Sequence, residues 1–198
     1  MKIKKFLTLF IFIIFSFSSL HKVYSIEPDV FVQSTVNRAS KVLGENFSKD
    51  EKISKLKTIA KETVDIRGIG FYTLGSFRKT LNEKQKKEYE NLFEQYFLKS
   101  FASRLAEYSN PEIQVNSKKI LNKNYTMVSS ILVATAKRPE VNISWRIYTK
   151  NPENLLIRDL IIEGLSLART QKEEFSSIIL SNDGNINALF ESLRKFIQ

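Results

Sequence analysis

Apolar positions recur at two different intervals along this chain, and the change of interval divides it. Val32, Val36, Ala39, Val42 and Leu43 fall three and four residues apart, which predicts an amphipathic helix over 29 to 47. Ser48 with Glu51 has the form of a capping box and opens a second helix over 49 to 64, with Ile53, Leu56, Ile59 and Ala60 on one face. Asn82 with Gln85 opens a third that runs to about Glu107, its stripe formed by Tyr89, Leu92, Phe93, Tyr96, Phe97, Phe101 and Leu105. From Pro111 the interval becomes two. Strands are expected over 112 to 121, 124 to 137, 141 to 149 and 155 to 163, separated by the turn signals Asn122-Lys123-Asn124, Arg138-Pro139 and Asn151-Pro152. Val141, Ile143, Trp145 and Ile147 alternate with Asn142, Ser144, Arg146 and Tyr148, so one face is dry and the other wet. After Gly164 the helical interval returns, over about 170 to 181 and 185 to 197. Short connections between successive strands imply an antiparallel meander. The expected class is therefore α+β, a curved four-stranded antiparallel sheet packed with several helices.

The stretch Asp65 to Gly75 breaks the helical pattern, with three of the six glycines in eight residues. Glycine at that density implies a bend or a close backbone approach. It lacks the strand and spacing of a dinucleotide loop, and the Gly-Lys-Ser/Thr of a phosphate loop.

Composition changes the picture at the amino terminus and in the chemistry allowed. Lys2, Lys4 and Lys5 precede an uncharged, mainly apolar run from Phe6 to Leu20, followed by Val23-Tyr24-Ser25. That is the pattern of a secretory signal peptide, residues 1–25, cleaved after Ser25 and too short to span a bilayer. An uncleaved anchor is the alternative. Residues 26–198 then form one domain, exported to the periplasm. With Lys22 the leader holds four lysines, which leaves 27 of the 31 basic residues against 21 acidic ones, a net charge of +6. Such a balance suits loose contact with anionic surfaces, and no nucleic-acid-reading motif accompanies it. His21, the only histidine, leaves with the leader, and there is no cysteine. A thiol nucleophile, a serine–histidine relay and a zinc or copper site of the usual kind are thereby excluded, and no disulfide braces the core.

Several segments together resemble the MlaC family, also called the toluene-tolerance or phospholipid-shuttle family. They are Thr63-Val64-Asp65-Ile66-Arg67-Gly68-Ile69-Gly70, Leu74-Gly75, Phe93-Glu94-Gln95-Tyr96, Trp145, Glu163-Gly164-Leu165-Ser166-Leu167, Thr170-Gln171 and Glu174-Phe175. The likeness spans about 60 to 195, and the lysine-rich surface is where the chain departs from it. The resemblance implies a hydrophobic pocket for phospholipid acyl chains, no cofactor, and no enzymatic activity. Its implied partners are phospholipid as cargo, an outer-membrane lipoprotein complex, an inner-membrane ABC transporter complex, and transient membrane contact. The implied role is to maintain outer-membrane lipid asymmetry, and a related branch is associated with hopanoid lipids.

Physical chemistry makes a sheltered pocket necessary for such a role. At about 0.8 kcal/mol per methylene, two tails with roughly 30 methylenes cost on the order of 25 kcal/mol to expose. The candidate walls are Ile66, Ile69, Phe71, Leu74 and Phe77 of the glycine-rich segment and Tyr96, Phe97 and Phe101 of the long helix. From the sheet come Ile131, Val133, Ile143, Trp145, Ile147, Leu160 and Ile162. Apolar periodicity alone does not distinguish these from ordinary core. Gly68, Gly70 and Gly75 would let the segment shift, or simply form a tight turn. Arg67 or Arg146 is the candidate to meet a lipid phosphate, with a surface ion pair as the alternative. A pocketed enzyme using Asp65 or Asp159 and an adaptor that binds only protein are the rival classes.

Overall fold

The computed structural model describes residues 26–198; the expected leader lies outside the described residues. Helix α1, Pro28–Gly44, begins with proline in its first turn, where a missing N–H costs nothing, and buries Val32, Val36 and Leu43. Helix α2, Lys49–Thr63, opens on the expected capping box: Ser48 Oγ accepts from the Glu51 N–H, and the Glu51 carboxylate accepts from the Ser48 N–H at 2.9 Å.

The glycine-rich stretch is a helix, α3, Ile66–Thr73, followed by a 3-10 turn over Gly75–Lys79. Asp65 caps it, accepting from the Gly68 N–H at 2.8 Å. Two glycines in eight residues hide a helix from propensity, and both serve close approach. A Cβ on Gly70 would stand 2.7 Å from the Phe93 ring, and one on Gly68 2.6 Å from the Asp65 carboxylate. The bend itself sits at Gly75, whose φ of +56° is left-handed. Helix α4, Glu83–Leu105, opens on a capping box of Asn82 and Gln85, and packs against α2, α3 and the last helix.

Strands β1 (Ile113–Asn122), β2 (Tyr125–Leu132), β3 (Val141–Tyr148) and β4 (Leu156–Ile162) form an antiparallel meander in sequence order. A fifth strand, β5 (Leu165–Ser166), extends the expected four. Glu163 and Gly164, both at positive φ, turn the chain back on β4 for two residues before Ser166 caps helix α5, Leu167–Leu180. Helix α6, Ile186–Ile197, closes the chain.

The registers fix the faces. Val128 opposes Trp145, and Ser130 opposes Ile143; these residues with Leu132, Ile147 and Ile157 turn toward the helices. Tyr125, Met127, Ile131, Arg146 and Tyr148 turn the other way and remain half-buried. A bulge interrupts the β3–β4 ladder: Arg146 pairs with Asp159 and Ile147 with Ile157, leaving Arg158 as the extra residue. Arg158 and Asp159 therefore both flank Arg146. Val64 bridges to Ile157, and the Asp65 N–H donates to the Ile157 carbonyl, which ties the start of α3 to the same strand.

Candidate functional site

Most of the expected wall residues meet in one apolar cluster between the sheet and helices α3 and α4. Ile66, Ile69, Leu74, Ile143, Trp145 and Ile147 are buried in it, and Phe71, Phe77, Tyr96, Phe97, Phe101 and Leu160 pack half-buried against it. Ile131, Val133 and Ile162 stand outside the cluster. Ile131 pairs with Asn142, which sets it on the face opposite Ile143. The β2 residues that do point inward are Val128 and Leu132, missed because both faces of that strand carry apolar side chains.

Four rings of α4, spaced four residues apart, form a continuous ladder. Tyr89 to Phe93, Phe93 to Phe97 and Phe97 to Phe101 are 5.8, 6.2 and 5.4 Å between centroids. Its polar exceptions are satisfied. The Tyr89 hydroxyl donates to the Gly70 carbonyl at 3.1 Å and lies 2.8 Å from the Thr73 hydroxyl, locking α3 to α4. Burial pushes the Tyr89 phenol well above its ordinary pKa, and burial raises that of Tyr96 as well. The Trp145 indole N–H donates to Ser130 Oγ at 2.8 Å.

Two clefts open at the surface. One, of about 570 Å³, runs along α5 between Tyr72, Arg169, Lys172 and Leu180. The other, of about 340 Å³, lies between α3, the start of α5 and side chains of the sheet, and includes Ile69, Tyr72, Leu121, Tyr125, Arg146 and Arg158. Ile69 alone among the expected wall residues lines either cleft.

The ionisable candidates have distinct surroundings. Arg67 pairs with Glu90 at 3.0 Å and lies over the Phe71 ring, so it makes the surface ion pair held out as the alternative. Asp65 combines its cap with an ion pair to Arg158 Nε at 2.5 Å. Asp159, 4% exposed, accepts from the Ser166 hydroxyl at 2.6 Å and the Ala168 N–H at 3.1 Å, fastening the start of α5 to β4. Both carboxylates thus hold the fold together through several donors. The Arg146 guanidinium makes no hydrogen bond or ion pair among the described residues, and its Nε is buried.

Among the described residues there is no group of three or more His, Cys, Asp or Glu side chains placed to hold a metal ion. Nor is any described helix long and apolar enough to cross a membrane.

Known proteins place this architecture. No curated protein matches the sequence. A phospholipid-binding protein from Ralstonia solanacearum, solved in complex with a phospholipid, superposes with a TM-score of 0.73 at 18% identity. The match covers 87% of this chain and 97% of the other, and at that identity it establishes the shared fold. The sequence pattern of the MlaC protein family matches residues 33–195, most of the domain just described, and the chain belongs to that family.

Proposed function

We propose that the protein is a soluble periplasmic carrier that shelters phospholipid acyl chains between the sheet and helices α3 and α4. It would shuttle lipid between an outer-membrane lipoprotein complex and an inner-membrane ABC transporter complex, and so help maintain outer-membrane lipid asymmetry. The observation that carries this reading is membership of the MlaC family together with a fold shared with a phospholipid-bound protein. The apolar cluster supports it by bringing most of the expected wall residues to one place. A carrier needs no catalytic group, and the structural engagement of Asp65 and Asp159 is in keeping with that.

Membrane contact falls in this reading to the β1–β2 hairpin. Ile120 is 77% exposed and Leu121 42% exposed beside the exposed Lys119 and Lys123, an apolar and basic tip that matches an anionic lipid surface. Native mass spectrometry of protein gently purified from the periplasm tests the reading. Co-purified phospholipid is the expected result. Protein that is lipid-free after expression in a lipid-rich periplasm would overturn it, and a hopanoid in place of phospholipid would redirect the cargo to the related branch.

A further inference from the structure

We propose that the cleft between α3, the start of α5 and the sheet is a subsite for one phosphate group, with Arg146 as its principal ligand and the phosphodiester of the cargo lipid as its natural occupant. The inference rests on the carrier reading. Its starting point is an arginine without a partner. Arg146 is only half-exposed, its Nε is out of solvent, and no acceptor among the described residues meets its guanidinium. A buried donor left unmatched is costly, and in a native protein it points to a missing acceptor such as a ligand.

The natural internal acceptor is turned away. Asp159 lies directly across the β3–β4 ladder from Arg146, yet its two oxygens receive the Ser166 hydroxyl and the Ala168 N–H. The neighbouring Arg158 also has a buried Nε without a hydrogen bond, but Asp65 balances its charge at 2.5 Å, and its Nη1 donates to the Tyr125 hydroxyl at 3.3 Å. The uncompensated donor fork in the cleft is therefore that of Arg146. A planar guanidinium presents two parallel N–H groups, the geometry that a phosphate oxygen pair accepts.

The size and the lining select a headgroup over a free anion. About 340 Å³ admits a phosphate with its glycerol carbons, and the lining is apolar at Ile69, Leu121 and Ala168. Asp159 close by weakens the hold on a free anion, so an occupant anchored by its own tails is favoured. Ile69 belongs both to this cleft and to the apolar cluster, which puts the phosphate site beside the interior where tails would lie.

The test loads the purified protein from vesicles containing equal amounts of phosphatidylglycerol and diacylglycerol with the same tails, and reads bound lipid by native mass spectrometry. Wild type should retain the phospholipid in preference. Arg146→Gln should reduce that preference about tenfold, the loss of a charged hydrogen bond pair, with the melting temperature preserved. Arg146→Lys, which keeps charge but not the fork, should fall between and serves if the Gln variant does not fold. An unchanged preference in a folded Arg146→Gln variant would overturn the subsite while leaving carriage intact. Retention of neither lipid by wild type would count against carriage. Inorganic phosphate titrated into wild type and followed at the Arg146 Nε–H by NMR should give no saturable shift, and a saturable shift there would overturn the lipid headgroup as the occupant in favour of free phosphate.

Discussion

Replacing Gly70 with alanine should destabilise the protein even though alanine is the better helix former. In an exposed helix the change would gain about 1 kcal/mol. Here the added Cβ would stand 2.7 Å from Cδ1 of Phe93, with two further ring atoms at 3.1 and 3.3 Å. The ring has nowhere to go. Phe93 is 2% exposed and packed against Tyr89, Tyr96, Phe97 and Phe175 at centroid distances of 5.8 to 6.3 Å. Retreat of α3 would stretch the Tyr89 to Gly70 hydrogen bond. Overpacking costs about 1–3 kcal/mol, and a 2.7 Å approach to an enclosed ring belongs to the upper part of that range, so after the helix gain the net loss should be about 1–2 kcal/mol. For a domain of this size that lowers the melting temperature by about 2–8 °C. Differential scanning calorimetry reads it, and Phe93→Leu in the same chain should recover part of the loss, since the two positions are coupled by contact. A Gly70→Ala variant that melts at or above wild type would refute the close-approach account of this glycine.

Other perturbations have equally definite outcomes. The Tyr89 phenol is held neutral by burial, its pKa raised above the ordinary 10.0, so the folded state keeps a proton that the unfolded state loses and stability should fall as pH rises past about 10. Tyr89→Phe should flatten part of that alkaline slope, measured by urea titration at several pH values, while Tyr96 continues to contribute. Asp159→Asn should cost about 1–3 kcal/mol of stability, because Ser166 and Ala168 are received by different carboxylate oxygens and the amide replaces one of those with an NH2 donor; unaltered denaturant midpoints would remove its structural role. Ile120→Ser with Leu121→Ser should reduce cosedimentation with anionic vesicles about tenfold or more and leave the melting temperature within 1–2 °C of wild type, as expected for two side chains that bury little in the fold.

Local chemistry wrote some of these elements plainly into the sequence. The capping boxes at Ser48 and Asn82 announce α2 and α4, because each satisfies the first orphan N–H groups with residues three apart. The alternation of Val141 to Ile147 gives the faces of β3 for the same reason of locality. What stayed hidden depends on partners distant in the chain. Helix α3 is short and carries two glycines, so its helicity is settled by packing on Phe93, a residue of another element. The inward face of β2 is ambiguous when Met127 and Ile131 compete with Val128 and Leu132, and only pairing with β3 resolves it. Burial of Asp159 follows from its apolar strand, whereas its task, holding the start of α5, requires the tight turn at Glu163 and Gly164 to bring Ser166 back beside it. The isolation of Arg146 follows from the engagement of Asp159, its partner across the ladder, by Ser166 and Ala168, and such a competition leaves no mark on periodicity.

If the proposed carriage holds, filling the interior with lipid must displace side chains that now fill it, and their degree of burial indicates which ones. Tyr89, Phe93 and Phe190 are fully enclosed, with Leu74, Val128 and Ile147 beside them, and form the frame joining helices to sheet. Phe71, Phe77, Tyr96, Phe97 and Phe101 sit half-buried along the margin of that frame. Turning a marginal ring outward forfeits contacts worth about 1 kcal/mol each, against on the order of 25 kcal/mol gained by sheltering two tails, so the margin is where the carrier should open. The two classes of ring must then respond differently. Phe97→Asp places a charge on the path of the tails at a half-exposed position, and should reduce lipid retention far more than melting temperature. Phe93→Ala removes a ring from the frame, and should lower stability by about 3–5 kcal/mol along with retention. If Phe97→Asp instead unfolds the protein as readily as Phe93→Ala does, the marginal rings are core like the rest, and the proposed place of opening is wrong.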